Sequence, residues 1–156
     1  MVPDYVFQHA HCFRSGRVLR PGPGDIALIM QSTLTVKIPG QGWVDLTPGI
    51  TLYSHHVADL PGTMKCHLEG NSDGSDLRFA LGLALIGSDH AIRGLADQYP
   101  GYVEGHVDVW LNEHTAFAVG TLPDQMMIRD TNAPLNGAVA AWRAGEGTCS
   151  PDAAKC

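Results

Sequence analysis

Histidine is the residue type that first points to chemistry in this chain, because eight of the 156 residues are histidines. His9 and His11 flank a single alanine, and His55 and His56 are adjacent. Imidazole nitrogens together with a carboxylate are ligands that hold iron or manganese in cupin-like barrels. The pattern therefore raises the hypothesis of a cupin-like small-molecule or metal-binding protein, either a binding protein or an enzyme.

The spacing of these histidines argues against a metal site. A cupin-like ligand set needs a glutamate shortly after the His-x-His pair on the same strand, and no carboxylate follows His11 within reach. His55 and His56 point to opposite faces if they lie on a strand, so both cannot bind one ion from the same side. His67 and His106 alternate with apolar residues, which predicts solvated positions. We therefore predict no metal and no cofactor, and the cupin-like protein is the alternative reading.

Nucleophilic and acid–base catalysis also lack a sequence signature. The chain has no Gly-x-Ser-x-Gly motif, and no cysteine lies at a predicted helix start or among basic residues that lower a thiol pKa. Glu69, Glu104 and Glu113 are predicted at exposed strand positions or turns, where a carboxylate pair for glycoside chemistry is not expected. The prediction is a protein that has no catalytic residues and is not an enzyme.

Net charge and hydropathy exclude two classes of partner. Ten Lys and Arg residues against 16 Asp and Glu residues give a formal net charge of −6, which is unfavourable for binding nucleic acid. No apolar stretch approaches the roughly 20 residues of a membrane span. The first residues lack the basic and apolar regions of a signal peptide, so we expect a protein made in the cytosol or carried in a particle assembled there.

The four cysteines stand far apart in the sequence, except for Cys149 and Cys156. Without a C-x2-C pair, a zinc finger or zinc ribbon is disfavoured. In a reducing compartment the expectation is free thiols, with Cys66 buried as a small apolar residue on a strand. A disulfide between Cys149 and Cys156 is left open as a pairing that forms after exposure to air or outside the cell.

Alternation of apolar and polar residues predicts strands through much of the chain. The expected fold class is mainly β, an antiparallel sandwich or small barrel with one or two short helices. The predicted strands cover residues 26–30, 34–38, 43–46, 50–53, 64–70, 103–111 and 115–119, and the predicted helices cover residues 89–98 and 135–144.

Three segments are expected along the chain. They are an irregular N-terminal arm over residues 1–25, a single β-rich domain over 26–145 and a polar C-terminal tail over 146–156. In the domain, one side of the predicted strands is expected to form the core. The predicted core residues are Leu34, Val36, Ile38, Met64, Cys66, Leu68, Val107, Val109 and Leu111.

Apolar side chains in the arm suggest how the chain assembles. A segment of low order with several such residues is too short to fold alone, but it can dock on a neighbouring subunit through its aromatic side chains. The predicted interface residues are Tyr5, Phe7, Phe13 and Leu19. The partners expected are other subunits of a particle, in a homo-oligomer or a hetero-assembly.

The order of elements from about residue 44 to residue 111 resembles that of a known family. It includes Leu46–Gly49, the predicted strand Met64–Gly70 and the stretch Gly101–Leu111 with its alternating valines. A similar order is found in the tail-tip and baseplate hub domains of long-tailed phages and gene-transfer agents. Some hub proteins also carry a four-cysteine iron–sulfur site, which is not expected here because only two of the cysteines are close together.

The resemblance implies a fold, a role and a location. The fold is a β-barrel that packs with its neighbours into a ring. The role is that of a structural subunit in a phage tail or baseplate. The location is the virion, after assembly in the host cytoplasm.

Overall fold

The computed structural model contains six strands and three longer helices in the residues that it describes. Those residues are 5–10, 19, 21–38, 42–69, 75–86, 98, 101–127 and 133–139. The strands are β1 Tyr5–Gln8, β2 Gly24–Met30, β3 Leu34–Ile38, β4 Gly42–Leu46, β5 Thr51–Val57 and β6 Thr115–Gly120. The helices are α1 Leu60–Glu69, α2 Asp76–Ile86 and α3 Tyr102–His114, followed by a 3-10 turn over Asp124–Met126 and helical residues at 134–139.

Four strands form an antiparallel sheet in the order β1-β6-β2-β5, and β3 and β4 form a separate hairpin. The register of β2 against β5 shifts between Leu28 and Ile29, because Leu28 pairs with Tyr53 and Ile29 pairs with Thr51. This irregularity at Leu52 lets both Leu52 and Tyr53 reach the same core.

The main core lies between the four-stranded sheet and the helices. Ile26, Leu28 and Phe117 enter it from the sheet and are fully buried. All three helices contribute apolar side chains, and the inward residues of the β3–β4 hairpin close it from the side. Burial of this continuous apolar surface is the main source of stability for a chain of this size.

The opposite face of the four-stranded sheet carries a smaller apolar cluster. Ala27, Ile29 and Ala118 alternate with the main-core residues and pack against Leu122 and Met127. The chain after β6 therefore folds back over the sheet and covers part of this second face.

Helix α1 replaces the predicted strand over residues 64–70. Met64, Cys66 and Leu68 are buried as predicted, and their alternation is what favoured a strand. His67 was counted as a polar outward residue, but it is the buried position three residues after Met64 on a helix that begins at Leu60. The true period is therefore helical, and a buried polar side chain concealed it.

Helix α3 replaces the predicted strand over residues 103–111. Val103, Val107 and Leu111 are buried at four-residue spacing on one face of the helix. Val109 lies on the opposite side with 55% of its surface exposed, so its predicted place in the core is wrong. A spacing of four residues fits one face of a helix and also every second inward position of a strand. Val109 lies between two of these positions and completes a period of two, which is why the sequence predicted a strand.

The predicted arm over residues 1–25 is not irregular throughout. Strand β1 pairs with β6 of the same chain, from Tyr5 opposite Gly120 to Gln8 opposite Phe117, and β2 begins at Gly24. The other strands predicted before residue 54 and the strand at 115–119 are confirmed.

The expectation of antiparallel sheets with short helices is confirmed, although the sheets do not close into a barrel in the described residues. Helical residues at 134–139 agree with the start of the predicted helix at 135–144. Most of the predicted helix at 89–98 and the whole tail at 146–156 lie outside the described residues. No helix in the described part of the chain is long and apolar enough to cross a membrane.

Candidate functional site

Hydrogen bonds join β5 to helices α1 and α2 through His55, His67 and Ser75, which we call the histidine chain. The Nε2 atoms of His55 and His67 lie 3.0 Å apart. Nδ1 of His67 lies 2.7 Å from Oγ of Ser75. The same Oγ accepts the backbone N–H of Arg78 at 3.2 Å, so Ser75 caps the N-terminus of α2.

Strand alternation and helix period place these side chains together. His55 is opposite Ile26 in the β2–β5 register, so it points to the helix-covered face of the sheet. His67 lies in the last turn of α1 and is 2% exposed. The Phe117 ring stacks on the His67 ring at 6.5 Å between centroids, and Tyr53 meets both imidazoles edge-on.

The hydrogen-bond partners determine where each proton of the histidine chain lies. Ser75 accepts from the Arg78 N–H, and its own hydrogen has the His67 Nδ1 as its acceptor. His67 then carries its hydrogen on Nε2 and donates it to Nε2 of His55. Among the described residues, any other assignment leaves a buried hydroxyl hydrogen without an acceptor or places two hydrogens between the two imidazoles.

Both imidazoles are held in their neutral form. Burial lowers the pKa of His55 to about 4, and the charge of neighbouring His56 acts in the same direction. Burial also holds the pKa of His67 well below its usual range, with further contributions from His55 and from Arg78.

Arg78 extends the network to helix α3. Its side chain is 1% exposed and donates to the carboxylates of Glu104 at 3.1 Å and Asp108 at 2.9 Å. It also donates to the backbone carbonyls of His67 and Glu104. One buried guanidinium therefore ties α2 to the end of α1 and to one side of α3.

These contacts make the network a structural one. Ser75 is 2% exposed, and its hydroxyl is used as a helix cap, so it is not presented to a substrate. No group of three or more His, Cys, Asp or Glu side chains that could hold a metal ion occurs among the described residues. The arrangement can hold and move protons, but it presents no exposed nucleophile.

Two further histidines, His56 and His106, lie away from the histidine chain. His56 points away from His55, to the other face of the sheet, and its Nδ1 lies 2.6 Å from Asp25. His106 is exposed on α3, as predicted for a solvated histidine. His67 contradicts the same prediction, because a histidine beside apolar residues was taken as the solvated side of a strand.

Cys66 forms a disulfide and is not the free thiol that the sequence analysis expected. Because Cys66 precedes His67 on α1, the disulfide anchors the same helix as the histidine chain. Proteins with such bonds usually mature in an oxidising environment.

Helix α3 also presents an exposed stripe on its far side, which we call the α3 outer face. Tyr102 and Val109 are 45% and 55% exposed, and His106 and Glu113 continue the stripe. Gly105 lies between them, and a Cβ atom added there would meet nothing within 4 Å. A glycine inside a helix costs about 1 kcal/mol relative to alanine, and no contact within the described chain requires this one.

The predicted interface residues of the arm lie in different environments. Tyr5 is half-buried against the smaller apolar cluster, and Leu19 is half-buried against the main core. Phe7 is 46% exposed on the face of the sheet opposite the helices. Phe13 lies outside the described residues.

An apolar crevice between the β3–β4 hairpin and the helices is too small to bind a substrate. Its free volume of about 10 Å³ is bordered by side chains such as Ile38, Leu81 and Trp110, whereas small-molecule sites span roughly 300 Å³ or more.

Comparisons with known proteins do not assign this chain to a family. No family model, curated protein or solved structure matches this chain. Residues 64–69 and 103–111, which were predicted as strands and formed part of the resemblance to phage hub domains, lie in helices α1 and α3.

Proposed function

We propose that the chain is a structural subunit, not an enzyme, that self-associates through the α3 outer face. The observation that carries this proposal is the exposed Tyr102 and Val109 on either side of Gly105. Gly105 has no side chain and lets the backbone of a partner approach closely. Exposed tyrosine is enriched at interfaces and among the residues that dominate their energies.

A second copy of α3 is the occupant that fits this face best. In an antiparallel pairing about a two-fold axis, Tyr102 faces Glu113 of the second copy and His106 faces Val109. The exposed stripe is therefore complementary to itself, with two His106–Val109 contacts at its centre and a tyrosine–carboxylate contact at each end. Two-fold interfaces use the same patch on both subunits, as this pairing does.

The size of the face limits the strength of a single contact. Helix α3 has 13 residues and is about 20 Å long, so its outer face buries less than the roughly 800 Å² per partner of a standard interface. We expect a dimer with a dissociation constant on the order of 100 µM. Because each copy carries a net charge of −6, salt that screens repulsion strengthens the association.

A particle subunit is the specific form of the proposal, in a tail or baseplate of a phage-like particle. Assembly beyond a dimer needs a second contact, and exposed Phe7 lies on the opposite side of the sheet from the helices. Many weak contacts in a ring combine into a stable assembly. Negative-stain imaging at high protein concentration tests this form, because a ring subunit gives closed particles of uniform size.

Sedimentation equilibrium tests the self-association itself. Val109→Asp places a charge at the centre of the pairing, so the variant is expected to remain monomeric at concentrations where the wild type is largely dimeric. Gln125→Glu is the matched control, because it adds one negative charge at an exposed position after β6. A wild type that stays monomeric near 1 mM, or a Val109→Asp variant that dimerises like the wild type, contradicts the proposal.

A further inference from the structure

We propose that the histidine chain of His55, His67 and Ser75 is an acid-sensitive latch. It holds α1 and the start of α2 against β5 and releases them when the pH falls. This inference is independent of self-association through α3.

The latch follows from the number of hydrogens that the histidine chain can hold between its members. With both imidazoles neutral, Ser75 donates to His67 and His67 donates to His55, and each contact has one hydrogen. A proton added at Nε2 of His55 puts two hydrogens into the 3.0 Å gap between the imidazoles. A proton added at Nδ1 of His67 turns the Ser75 hydroxyl hydrogen away from its acceptor. Either event breaks a buried hydrogen bond and adds a buried charge.

The surrounding groups do not compensate for that charge. His56 lies next to His55 on β5, and Arg78 of α2 donates to the backbone carbonyl of His67. Glu104 and Asp108 of α3 face the Arg78 guanidinium. Tyr53 and Phe117 present rings to the imidazoles, and Cys66 does not titrate because it is in a disulfide.

The consequence for stability has a definite sign. The unfolded chain binds protons at both histidines below about pH 6.5, whereas the folded chain resists binding them. The stability that these two histidines contribute is therefore at its full value above about pH 6.5. It decreases as the pH falls towards the pKa values of the folded state, and the pKa of His55 is about 4. For each histidine that stays neutral in the folded state, the unfolding equilibrium constant rises about tenfold for every unit by which the pH falls in this window.

Denaturant unfolding at pH 7 and pH 5 tests the latch on the full chain. His55→Gln retains an acceptor for the His67 N–H but cannot take up a proton. The unfolding equilibrium constant increases by some factor when the pH is lowered from 7 to 5. This factor is expected to be about 20 times larger in the wild type than in His55→Gln. His106→Gln removes an exposed histidine and is expected to match the wild type. Equal pH dependence in the wild type and His55→Gln overturns the proposal.

Nuclear magnetic resonance of the wild type provides a test that does not depend on a variant folding. Nitrogen-15 shifts of the imidazoles are expected to show His67 neutral at pH 5.5, with its hydrogen on Nε2. A His67 that carries its hydrogen on Nδ1, or that is half-protonated above pH 6, overturns the latch.

Discussion

Nη1 of Arg78 in α2 lies 2.9 Å from a carboxylate oxygen of Asp108 in α3, and this contact joins a buried guanidinium to a carboxylate that is 38% exposed. Arg78→Ala removes a buried charge that faces two carboxylates and leaves a cavity between three helices. We expect a loss of about 2–4 kcal/mol in the free energy of unfolding, measured by urea titration, because side-chain packing is lost and the carbonyl groups of His67 and Glu104 lose a donor. Lys65→Ala, at an exposed position of α1, is the control and is expected to change stability by less than about 0.5 kcal/mol. Equal effects of the two variants would show that the network does not hold the helices.

The two sides of α3 give opposite responses to the same substitution. Val107 is fully buried and Val109 is 55% exposed. Val107→Asp is therefore expected to cost more than about 3 kcal/mol, because an unpaired charge enters the core, and Val109→Asp less than about 1 kcal/mol. Thermal unfolding of dilute protein compares them. A larger loss of stability in Val109→Asp than in Val107→Asp would contradict helix α3 and support the strand predicted over residues 103–111.

Asn136 completes the open edge of strand β5. Its amide accepts the Ser54 N–H and donates to the Ser54 carbonyl, both at 2.9 Å, as a neighbouring strand would do. Asn136→Ala is expected to cost about 1–3 kcal/mol and to speed hydrogen exchange of the Ser54 amide. Asn112→Ala is a matched control, because the Asn112 Oδ1 has no hydrogen-bond partner in the described part of the chain. An unchanged Ser54 exchange rate in Asn136→Ala would contradict this role.

The disulfide at Cys66 predicts sensitivity to reductant. Removing a native disulfide from a small domain typically costs about 2–5 kcal/mol, so a reductant is expected to lower the Tm. Peptide mass spectrometry without reduction is expected to find Cys66 joined to another cysteine of the chain. Four free thiols in the folded, unreduced protein would refute the bond.

The sequence predicted the sheet better than the helices, for a physical reason. Strands β2 to β6 each follow a local pattern of alternation or an apolar run between turn residues, and they were found where expected. Helices α1 and α3 carry patterns that fit both periods, and the choice depended on whether His67 and Val109 are buried. Burial of those two residues is decided by distant parts of the chain, which a local pattern does not contain.

The candidate site was harder to predict, because it depends on contacts between residues far apart in the sequence. Alternation correctly separated His55 from His56, but nothing in the sequence indicated that His55 meets His67. Arg78 lies within an apolar run, and an arginine in such a position is a signal for a buried network. The pairing of Arg78 with Glu104 and Asp108 follows only from the packing of α2 on α3.

Photo-cross-linking from position 102 tests the central claim, self-association through the α3 outer face, most directly. Benzoylphenylalanine in place of Tyr102 lies opposite Glu113 of a second copy in the proposed pairing. Irradiation at about 100 µM is expected to give a covalent dimer whose cross-linked peptide contains residues 110–114, and Val109→Asp is expected to abolish it. No dimer at any concentration, or a cross-link to a segment outside α3, would contradict the account.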